Sequence, residues 1–435
     1  MQTDFLPGSR LISLMLLMSL IHQLPILKVD DVVTVKDTSH QHFDLVVAQD
    51  GSGDYLSLTG AINALPMYTY ERVVIYVKNG IYEEKIRLEQ DNITIIGENV
   101  DSTVIQYSQL RSDWEANKDY IGPAVVNLHA DNIILKNLTI INTQPRMKEH
   151  AFAIYGTGTR IILFNCRAIS KGGDTVSLWN YKSGMYYHGQ CYFEGGVDFV
   201  CPRGWCYITD SRFYEVRETA ALWHAGVLDK NQKMVIRNSS FDGATRFDLG
   251  RHHYEAQFFL IDCTFSKNVN NRSIYRSVNL KNPEKNRPYF WGDRYYFYNC
   301  QREGGNYKWF ENNLEQSGIS NPGSITASWT FDGQWDPEQT ALPVVIDWDI
   351  RGKDLYLNFQ ENLTIRGQLT IETASGNTLT FKEGRGRKTL RFEAKSTLSA
   401  KELKKGLQIV TGSITANTPT VNERILDSRI NLPKN

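Results

Sequence analysis

The sequence lacks an excess of charge of either sign, and it lacks long hydrophobic runs beyond its N-terminal region. Lysine and arginine together number 48, and aspartate and glutamate together also number 48. Balanced charge provides no global basic field to attract nucleic acid and no acidic excess of the kind that favours disorder. We therefore expect a folded protein that has no nucleic-acid partner.

The only long apolar run lies near the N-terminus, where Arg10 precedes the stretch from Leu11 to Ile21. This run is too short to span a membrane comfortably, and its shape is typical of a secretory signal. No cysteine occurs before Cys166, which excludes a lipoprotein signal. We predict that residues 1–27 resemble a signal peptide, and that the mature protein is secreted or periplasmic with no membrane partner.

Short strand-like segments recur between residues 131 and 301, and each is followed by one polar residue. Those polar positions are Asn137, Asn165, Gln190, Asp210, Asn238, Asp262 and Asn299. The segments are rich in β-branched and aromatic residues, and they alternate instead of following a period of 3.6. Repeats of this length that are built from short strands predict a right-handed parallel β-helix, in which each coil buries its apolar face against the next.

The residue after each polar position is small in most of the repeats. The column reads Leu138, Cys166, Cys191, Ser211, Ser239, Cys263 and Cys300. A stacked column of small residues indicates an interior ladder. Four of the six cysteines are therefore predicted to be packed thiols and not disulfide partners.

The composition changes near residue 320, which divides the chain into predicted domains. Residues 40–320 are assigned to the β-helix, and the helix predicted within 45–66 caps its first coil. Residues 321–343 are rich in turn-forming residues and are assigned as a linker. Residues 344–435 alternate like strands, with "GKD" and "SGN" as hairpin turns, and predict a small antiparallel β domain. The fold class is therefore all-β. Capped solenoid ends favour a monomer.

Three charged residues stand in apolar or glycine-rich surroundings: Asp174, Asp198 and Arg251. The two aspartates are separated by about one coil, and strands of adjacent coils lie about 4.8 Å apart. Two neighbouring carboxyl groups do not ionise together easily, so the pKa of one should be raised, while an arginine holds the other as an anion. This arrangement suits a nucleophile and a general acid, although buried Asp–Arg pairs are also common structural features.

Six motifs, in order along the chain, carry a family resemblance. They are "VAQDGSGDYLSLTGAINALP", "VKNGIYEEKI", "ADNIILKNLTIINT", "GGDTVSLW", "GGVDFVCPRG" and "LGRHHY". Over about residues 43–340 the chain resembles the pectin methylesterase family. The resemblance implies a pectic polysaccharide as partner and substrate, with neither cofactor nor metal, and hydrolysis of the methyl esters of galacturonate.

The resemblance also implies a role for each charged residue. Asp198 would attack the ester carbonyl carbon. Asp174 would give a proton to the departing methanol and then act as the base toward water. Arg251 would orient Asp198 and keep it ionised.

The chain departs from the family pattern around the expected site. The glutamine that serves the oxyanion in the family is Gly173 here, and a second family glutamine is His150. His150 is the leading candidate for a replacement oxyanion donor, and His224 is the second. Loss of an oxyanion donor typically costs a few kcal/mol. The residues expected to contact the glycan are His224, Trp223, His253, Trp179 and Trp205.

These departures cluster at the expected site, so we expect an esterase adapted to an unusual substrate such as a branched rhamnogalacturonan. Two alternatives stay open. One is a glycoside hydrolase or lyase on the same fold, although the sequence has no acidic cluster of the kind that binds Ca²⁺ in lyases. The other is a non-catalytic glycan-binding solenoid.

Overall fold

The computed structural model describes residues 43–433 except residues 225, 287, 341 and 423. The predicted signal segment, residues 1–27, lies outside the described residues. No helix in the described part of the chain is long and apolar enough to cross a membrane.

Short strands follow one another from residue 45 to residue 302. They are β1 (Leu45–Val47), β2 (Val73–Val77), β3 (Gly80–Glu83), β4 (Ile86–Leu88), β5 (Ile93–Gly97), β6 (Thr103–Tyr107), β7 (Ala124–Leu128), β8 (Ile134–Lys136), β9 (Thr139–Asn142), β10 (Phe152–Gly156), β11 (Ile161–Phe164), β12 (Arg167–Ser170), β13 (Val176–Leu178), β14 (Met185–Gly189), β15 (Tyr192–Gly195), β16 (Trp205–Thr209), β17 (Arg212–Glu215), β18 (Ala220–His224), β19 (Met234–Arg237), β20 (Ser240–Gly243), β21 (Asp248–His252), β22 (Phe258–Ile261), β23 (Thr264–Phe265), β24 (Tyr275–Arg276), β25 (Tyr295–Tyr298) and β26 (Gln301–Arg302).

These strands stack as parallel sheets on three faces. Sheet 1 has the order β1-β2-β5-β8-β11-β14-β16-β19-β22-β25, and sheet 2 has the order β26-β23-β20-β17-β15-β12-β9-β6-β3. Sheet 3 has two sections, β4-β7-β10-β13 and β18-β21-β24, which are joined by isolated bridges from Val200 to Val176 and to Leu222. The chain visits the faces in turn, so the predicted parallel β-helix is confirmed.

The recurring polar residues occupy the turn between sheet 1 and sheet 2. All seven have a positive φ, from 42° at Asn238 to 56° at Asn137 and Gln190. Asparagine and aspartate tolerate this left-handed conformation better than other residues that carry a side chain. Their amides also bond from coil to coil, as between Asn165 Nδ2 and Asn137 Oδ1 at 2.9 Å. The polar residues therefore recur in the sequence because each of these turns needs a residue that adopts a positive φ.

The interior of the β-helix is built from stacked columns of similar side chains. All six cysteines are free and buried, which confirms the predicted packing role for four of them. A column of phenylalanines runs through sheet 2, and the rings of Phe213 and Phe241 are stacked with centroids 4.3 Å apart. Burial of such rings dominates the energetics of a core.

Helix α1 (Leu58–Asn63) packs into the core at the first coil. Ser57 caps its N-terminus, and the carboxylate of Glu84 accepts hydrogen bonds from the backbone N–H groups of Leu58 and Thr59. A carboxylate at this position satisfies donors that the helix itself leaves unpaired. Helix α2 (Arg111–Ala116) lies between β6 and β7.

The last part of the chain forms an antiparallel sheet, which we call the C-terminal sheet. Its strands are β27 (Val345–Arg351), β28 (Asp354–Phe359), β29 (Leu363–Thr373), β30 (Thr378–Glu383), β31 (Thr389–Ala394), β32 (Leu407–Ala416), β33 (Ile425–Leu426) and β34 (Arg429–Ile430). The order is β27-β28-β31-β30-β29-β32-β33, and β34 also pairs with β32. The predicted turns at "GKD" and "SGN" contain Gly352 and Gly376, both with positive φ. Helix α4 (Ala400–Leu403) precedes β32.

The segment predicted as a linker, residues 321–343, packs against the β-helix. It contains a 3₁₀ turn (Pro322–Ser324) and helix α3 (Ala327–Thr330). Phe331 and Trp335 are buried in one cluster with Tyr207 and other side chains of sheet 1. Further 3₁₀ turns lie at Pro283–Lys285, Lys308–Phe310 and Leu314–Ser317. The domain boundaries at 320 and 344 stay a prediction.

Candidate active site

Asp174 and Asp198 occupy equivalent positions on adjacent coils. Each lies two residues before a valine of sheet 3, and those valines, Val176 and Val200, form a parallel bridge. Both aspartates have a left-handed backbone conformation, with φ of 60° and 57°. The shared register places the backbones of the two aspartates at equivalent positions of one corner of the β-helix, about one strand spacing of 4.8 Å apart.

Arg251 comes from β21 and reaches back to Asp198. Its Nε donates to Asp198 Oδ1 at 2.9 Å, and its Nη2 donates to Asp198 Oδ2 at 2.5 Å. This ion pair is bidentate, and such a pair fixes the orientation of a carboxylate as well as its charge. The Asp198 side chain is only 10% exposed, so the pair is largely shielded from water.

Burial raises the pKa of Asp198 to about 6, and the nearby charge of Asp174 adds to that rise. The hydrogen bonds and charge of Arg251 act in the opposite direction and limit the shift. The same contact raises the pKa of Arg251, which therefore stays a cation. The sequence predicts the raised pKa on the carboxyl group that arginine does not hold, whereas burial raises the pKa of Asp198, the group that Arg251 does hold.

His150 lies beside both Gly173 and Asp174. His150 and Gly173 form a parallel bridge between adjacent coils, and His150 Nδ1 is 3.4 Å from Asp174 Oδ2. A Cβ on residue 173 would lie 3.1 Å from His150 Nδ1. The imidazole therefore borders the place where a side chain at residue 173 would begin. The contact with Asp174 raises the pKa of His150.

A row of partly exposed side chains runs along sheet 3 beside the carboxyl pair, and we call it the aromatic track. Its members are His129, Tyr155, Trp179, Arg203, Trp223 and His253. Neighbouring members contact one another throughout. The ring centroids of Tyr155 and Trp179 are 5.2 Å apart, and those of Trp223 and His253 are 5.6 Å apart. The track crosses several coils and offers an extended surface.

Arg203 is a member of the track that sequence reasoning missed. Its guanidinium carbon lies 3.7 Å from the ring centroid of Trp179 and 5.0 Å from that of Trp223. A cation in this position is held over both aromatic faces. The available signal was the "CPRG" that follows Asp198, where the chain departs from the family pattern.

Two expected glycan contacts are wrong. His224 is 0% exposed, its Nε2 lies 2.8 Å from the carbonyl oxygen of Gly204, and burial lowers its pKa to about 4. Its side chain is packed in the interior and does not face a ligand. Trp205 lies on sheet 1, where it packs in the cluster that contains Phe331. Trp179, Trp223 and His253 do lie together on the track.

The adjacent histidines 252 and 253 face opposite ways, as the alternation of a strand requires. His252 is fully buried, whereas His253 is partly exposed against Trp223. Across residues 43–433, apart from the four omitted positions, no cluster of three or more His, Cys, Asp or Glu side chains is arranged to hold a metal ion.

Comparison with known protein families places the site within a matched segment. The family model described as Pectinesterase matches residues 44–245, which include His150, Asp174 and Asp198. The match to the pectinesterase family thus covers somewhat less than half of the chain. The match ends before Arg251, whose role in this chain is inferred from its contact with Asp198.

Relatives from plants share this segment. Probable pectinesterase 30 of Arabidopsis thaliana is 32% identical over 160 residues, which are 36% of this chain and 31% of the relative. Probable pectinesterase 56 of the same plant is 32% identical over 162 residues, which are 37% of this chain and 54% of the relative. The matched part of the chain thus spans about a third to a half of these pectinesterases.

Solved structures share the fold at lower sequence identity. Pectin methylesterase from carrot superposes with a TM-score of 0.54 at 20% identity, covering 67% of this chain and 94% of that one. Pectin methylesterase PemA from Erwinia chrysanthemi gives 0.57 at 18% identity, covering 68% and 98%. The β-helix fold of these structures is therefore matched nearly whole, and about a third of this chain lies outside it.

Proposed function

We propose that this chain is a pectin methylesterase that hydrolyses galacturonate methyl esters through Asp198. The proposal rests on one observation: Asp174 and Asp198 lie in register on adjacent coils, and Arg251 donates a hydrogen bond to each carboxylate oxygen of Asp198. Both aspartates lie in the segment that the pectinesterase family model matches. An ionised, oriented carboxylate beside a second carboxyl group suits nucleophilic catalysis with proton transfer.

In the first half-reaction, an Asp198 oxygen attacks the carbonyl carbon of the ester, and the carbonyl oxygen becomes an anion. When the tetrahedral intermediate collapses, the bond to the methoxy oxygen breaks. Asp174 gives its proton to that oxygen, and methanol leaves. The galacturonate carbonyl is then joined to Asp198 as an acid anhydride.

In the second half-reaction, Asp174 is a carboxylate and takes a proton from a water molecule, which attacks the same carbonyl carbon. The bond to Asp198 breaks, releasing a galacturonic acid group, which then loses its proton to solvent, and restoring Asp198 as an anion paired with Arg251. Asp174 is again protonated. One ester and one water thus become one carboxylic acid and one methanol.

His150 is proposed to stabilise the developing oxyanion in place of the missing side chain at residue 173. It is next to Asp174, and its ring borders the place where a side chain of residue 173 would start. While Asp174 is a carboxylate, its contact raises the pKa of His150 and favours the imidazolium, which has two N–H donors; while Asp174 holds its proton, the neutral imidazole still has one N–H donor. A positioned donor at this point is worth about 10²–10³ in kcat.

The substrate is proposed to be a complex pectin, such as a branched rhamnogalacturonan, in preference to plain homogalacturonan. His150 beside Gly173 and Arg203 between two tryptophans both change the surface next to the carboxyl pair. The protein is proposed to act outside the cell or in the periplasm, as a monomer.

Methanol release on a panel of pectins tests these proposals. The expected result is methanol without shortening of the glycan, and its loss in Asp198→Asn, because the amide is not a nucleophile. Asp242→Asn, at an exposed carboxylate on β20, is the matched control and should retain activity. New chain ends would indicate a hydrolase or lyase instead. Faster turnover of plain methylated homogalacturonan than of any branched pectin would refute the substrate assignment.

A further inference from the structure

A cleft of about 650 Å³ lies between one corner of the β-helix and the C-terminal sheet. The β-helix contributes the loop after α1 and the turns that lead into sheet 1, including Asn92 and Asn132. The C-terminal sheet contributes residues 360–362, 386, 388, 417 and 418. The volume falls in the range of about 300–1,000 Å³ that is usual for small-ligand sites. The cleft is separate from the carboxyl pair and has no part in the reaction described above.

Buried hydrogen bonds hold the two walls of this cleft together. Arg72, which is 9% exposed, donates to the carbonyl oxygens of Asn132 and Asn417. Thr364 accepts a hydrogen bond from the backbone N–H of Arg72 at 2.7 Å. The side chain of Asn417 donates to the carbonyl oxygen of Tyr70 at 2.5 Å. A cleft whose base is fixed in this way is preformed, which lowers the cost of ordering it around a ligand.

Two exposed tyrosines form the rim of the cleft. Tyr68 is 66% exposed and Tyr70 is 70% exposed, and their rings lie nearly parallel with centroids 6.2 Å apart. Large apolar faces that stay open to water beside polar groups are typical of recognition surfaces. A tyrosine face suits the C–H face of a sugar ring, and its hydroxyl can bond to a sugar oxygen.

Polar side chains in the cleft are suited to hydroxyl and ester groups. Side-chain amides line it at Gln334, Gln360 and Asn362, whereas the amides of Asn92 and Asn132, which also line it, bond to each other. Amides both donate and accept, as sugar hydroxyls do. Charges of both signs line the cleft. The cations are Arg160 and Lys388, and the anions are Glu89, Asp91 and Glu361. This balance provides no strong attraction for an anion, so an uncharged sugar fits better than a free uronate.

The cleft begins close to one end of the aromatic track of the candidate active site. Glu89 lines the cleft, and the residue before it, Leu88, accepts a hydrogen bond from the backbone N–H of His129 at 2.8 Å. His129 is the end member of the track and contacts Tyr155 with ring centroids 5.8 Å apart. Three coil spacings, about 14 Å in total, separate the strand of Glu89 from that of Asp174. A long glycan bound at Asp198 can therefore continue into the cleft.

We propose that the cleft between the β-helix and the C-terminal sheet is a distal binding site for an uncharged, methyl-esterified segment of the same glycan chain. The identity of the sugar rests on the proposed function. The C-terminal sheet thereby gains a role, since it supplies one wall of the site. A short oligomer at Asp198 does not reach Tyr68, so the contribution of the cleft depends on the length of the glycan.

Calorimetric binding to the full chain carrying Asp198→Asn tests this site, because this variant should leave methylated ligands intact. The probes are fully methyl-esterified trigalacturonate and decagalacturonate. Adding Tyr68→Ala and Tyr70→Ala should weaken decamer binding about tenfold and change trimer binding less than about twofold. Phe290→Ala, at an exposed ring in the loop between β24 and β25, is the matched control and should alter neither affinity.

Equal decamer affinity with and without the two tyrosines overturns the distal site. Tighter binding of unesterified than of esterified decagalacturonate through the same tyrosines overturns the choice of an uncharged sugar. The distal site and the esterase activity can be refuted independently. If the chain releases no methanol but decamer binding still depends on the two tyrosines, only the esterase proposal is refuted. If the chain releases methanol but decamer binding does not depend on the tyrosines, only the distal site is refuted. Both rings are exposed, so we expect the variants to fold, and their thermal unfolding should match that of the parent.

Discussion

The imidazole of His150 lies against Gly173 across adjacent coils, 3.1 Å from the position of a Cβ on residue 173. The side chain and the backbone oxygen of Val197 lie closer to the same position, at 2.8 and 2.9 Å. A larger residue at 173 therefore requires that Val197 shift, and it also crowds the ring of His150.

The first prediction concerns His150 itself. We expect His150→Ala to lower kcat about 100-fold with little change in KM, because the donor acts on charge that develops only in the transition state. His150→Gln should retain more activity, since its amide can still donate. Steady-state methanol release measures both values. Asp242→Asn is again the control, and a kcat for His150→Ala within threefold of the parent would remove His150 from the oxyanion site.

The second prediction concerns pH. Asp198 must be ionised to attack, and burial raises its pKa to about 6, so kcat/KM should fall as the pH drops through about 6. Because the hydrogen bonds from Arg251 lower the pKa of Asp198, Arg251→Lys should move this acid limb to higher pH. Arg272→Lys, at an arginine that pairs with Asp248, should leave the limb in place. An acid limb near pH 4 in the parent would contradict the effect of burial.

Most of the fold could be predicted from the sequence because its backbone requirement repeats. Each left-handed turn selects Asn, Asp or Gln, so positions such as Asn165 and Asp262 mark the coils directly. Asp174 and Asp198 follow the same logic, since both are left-handed at one corner. Their juxtaposition was therefore predictable from a spacing of one coil.

Side-chain direction was missed where strand alternation would have given it, because successive residues of a strand point to opposite faces. His224 and Trp223 are adjacent in β18, so the histidine is fully buried while the tryptophan lies on the track. Trp205 stands on a different face altogether. Arg203 follows Pro202 in a loop outside regular strands, so no periodicity indicated that it would reach Trp179.

The third prediction concerns Arg203. Its guanidinium covers the face of Trp179, so that face holds the arginine and is not free to stack on a sugar. A cation in the track favours a free carboxylate beside the ester that is cleaved. We expect Arg203→Gln to raise KM about tenfold on partly de-esterified pectin and less than threefold on fully esterified pectin. Equal effects on both substrates would indicate that Arg203 only supports the tryptophans.

The last prediction concerns Glu215, which is fully buried near the carboxyl pair. Its Oε1 accepts hydrogen bonds from the backbone N–H of Arg217 and the hydroxyl of Thr219. Burial raises the pKa of Glu215 from 4.5 to about 8, so the native state holds a proton that the unfolded chain releases. The stability that this proton provides is complete below pH 4.5 and is lost as the pH rises toward 8.

Glu215→Gln removes this titration while keeping a neutral side chain of similar shape. The free energy of unfolding of the variant should therefore rise relative to that of the parent by about 1.4 kcal/mol for each pH unit between about 5 and 8. Urea unfolding at a series of pH values measures the difference. Glu303→Gln, at an exposed position, should run parallel to the parent. If the free energy of unfolding of Glu215→Gln instead follows that of the parent at every pH, Glu215 is already ionised in the native protein, and the turn to β18 stabilises its charge.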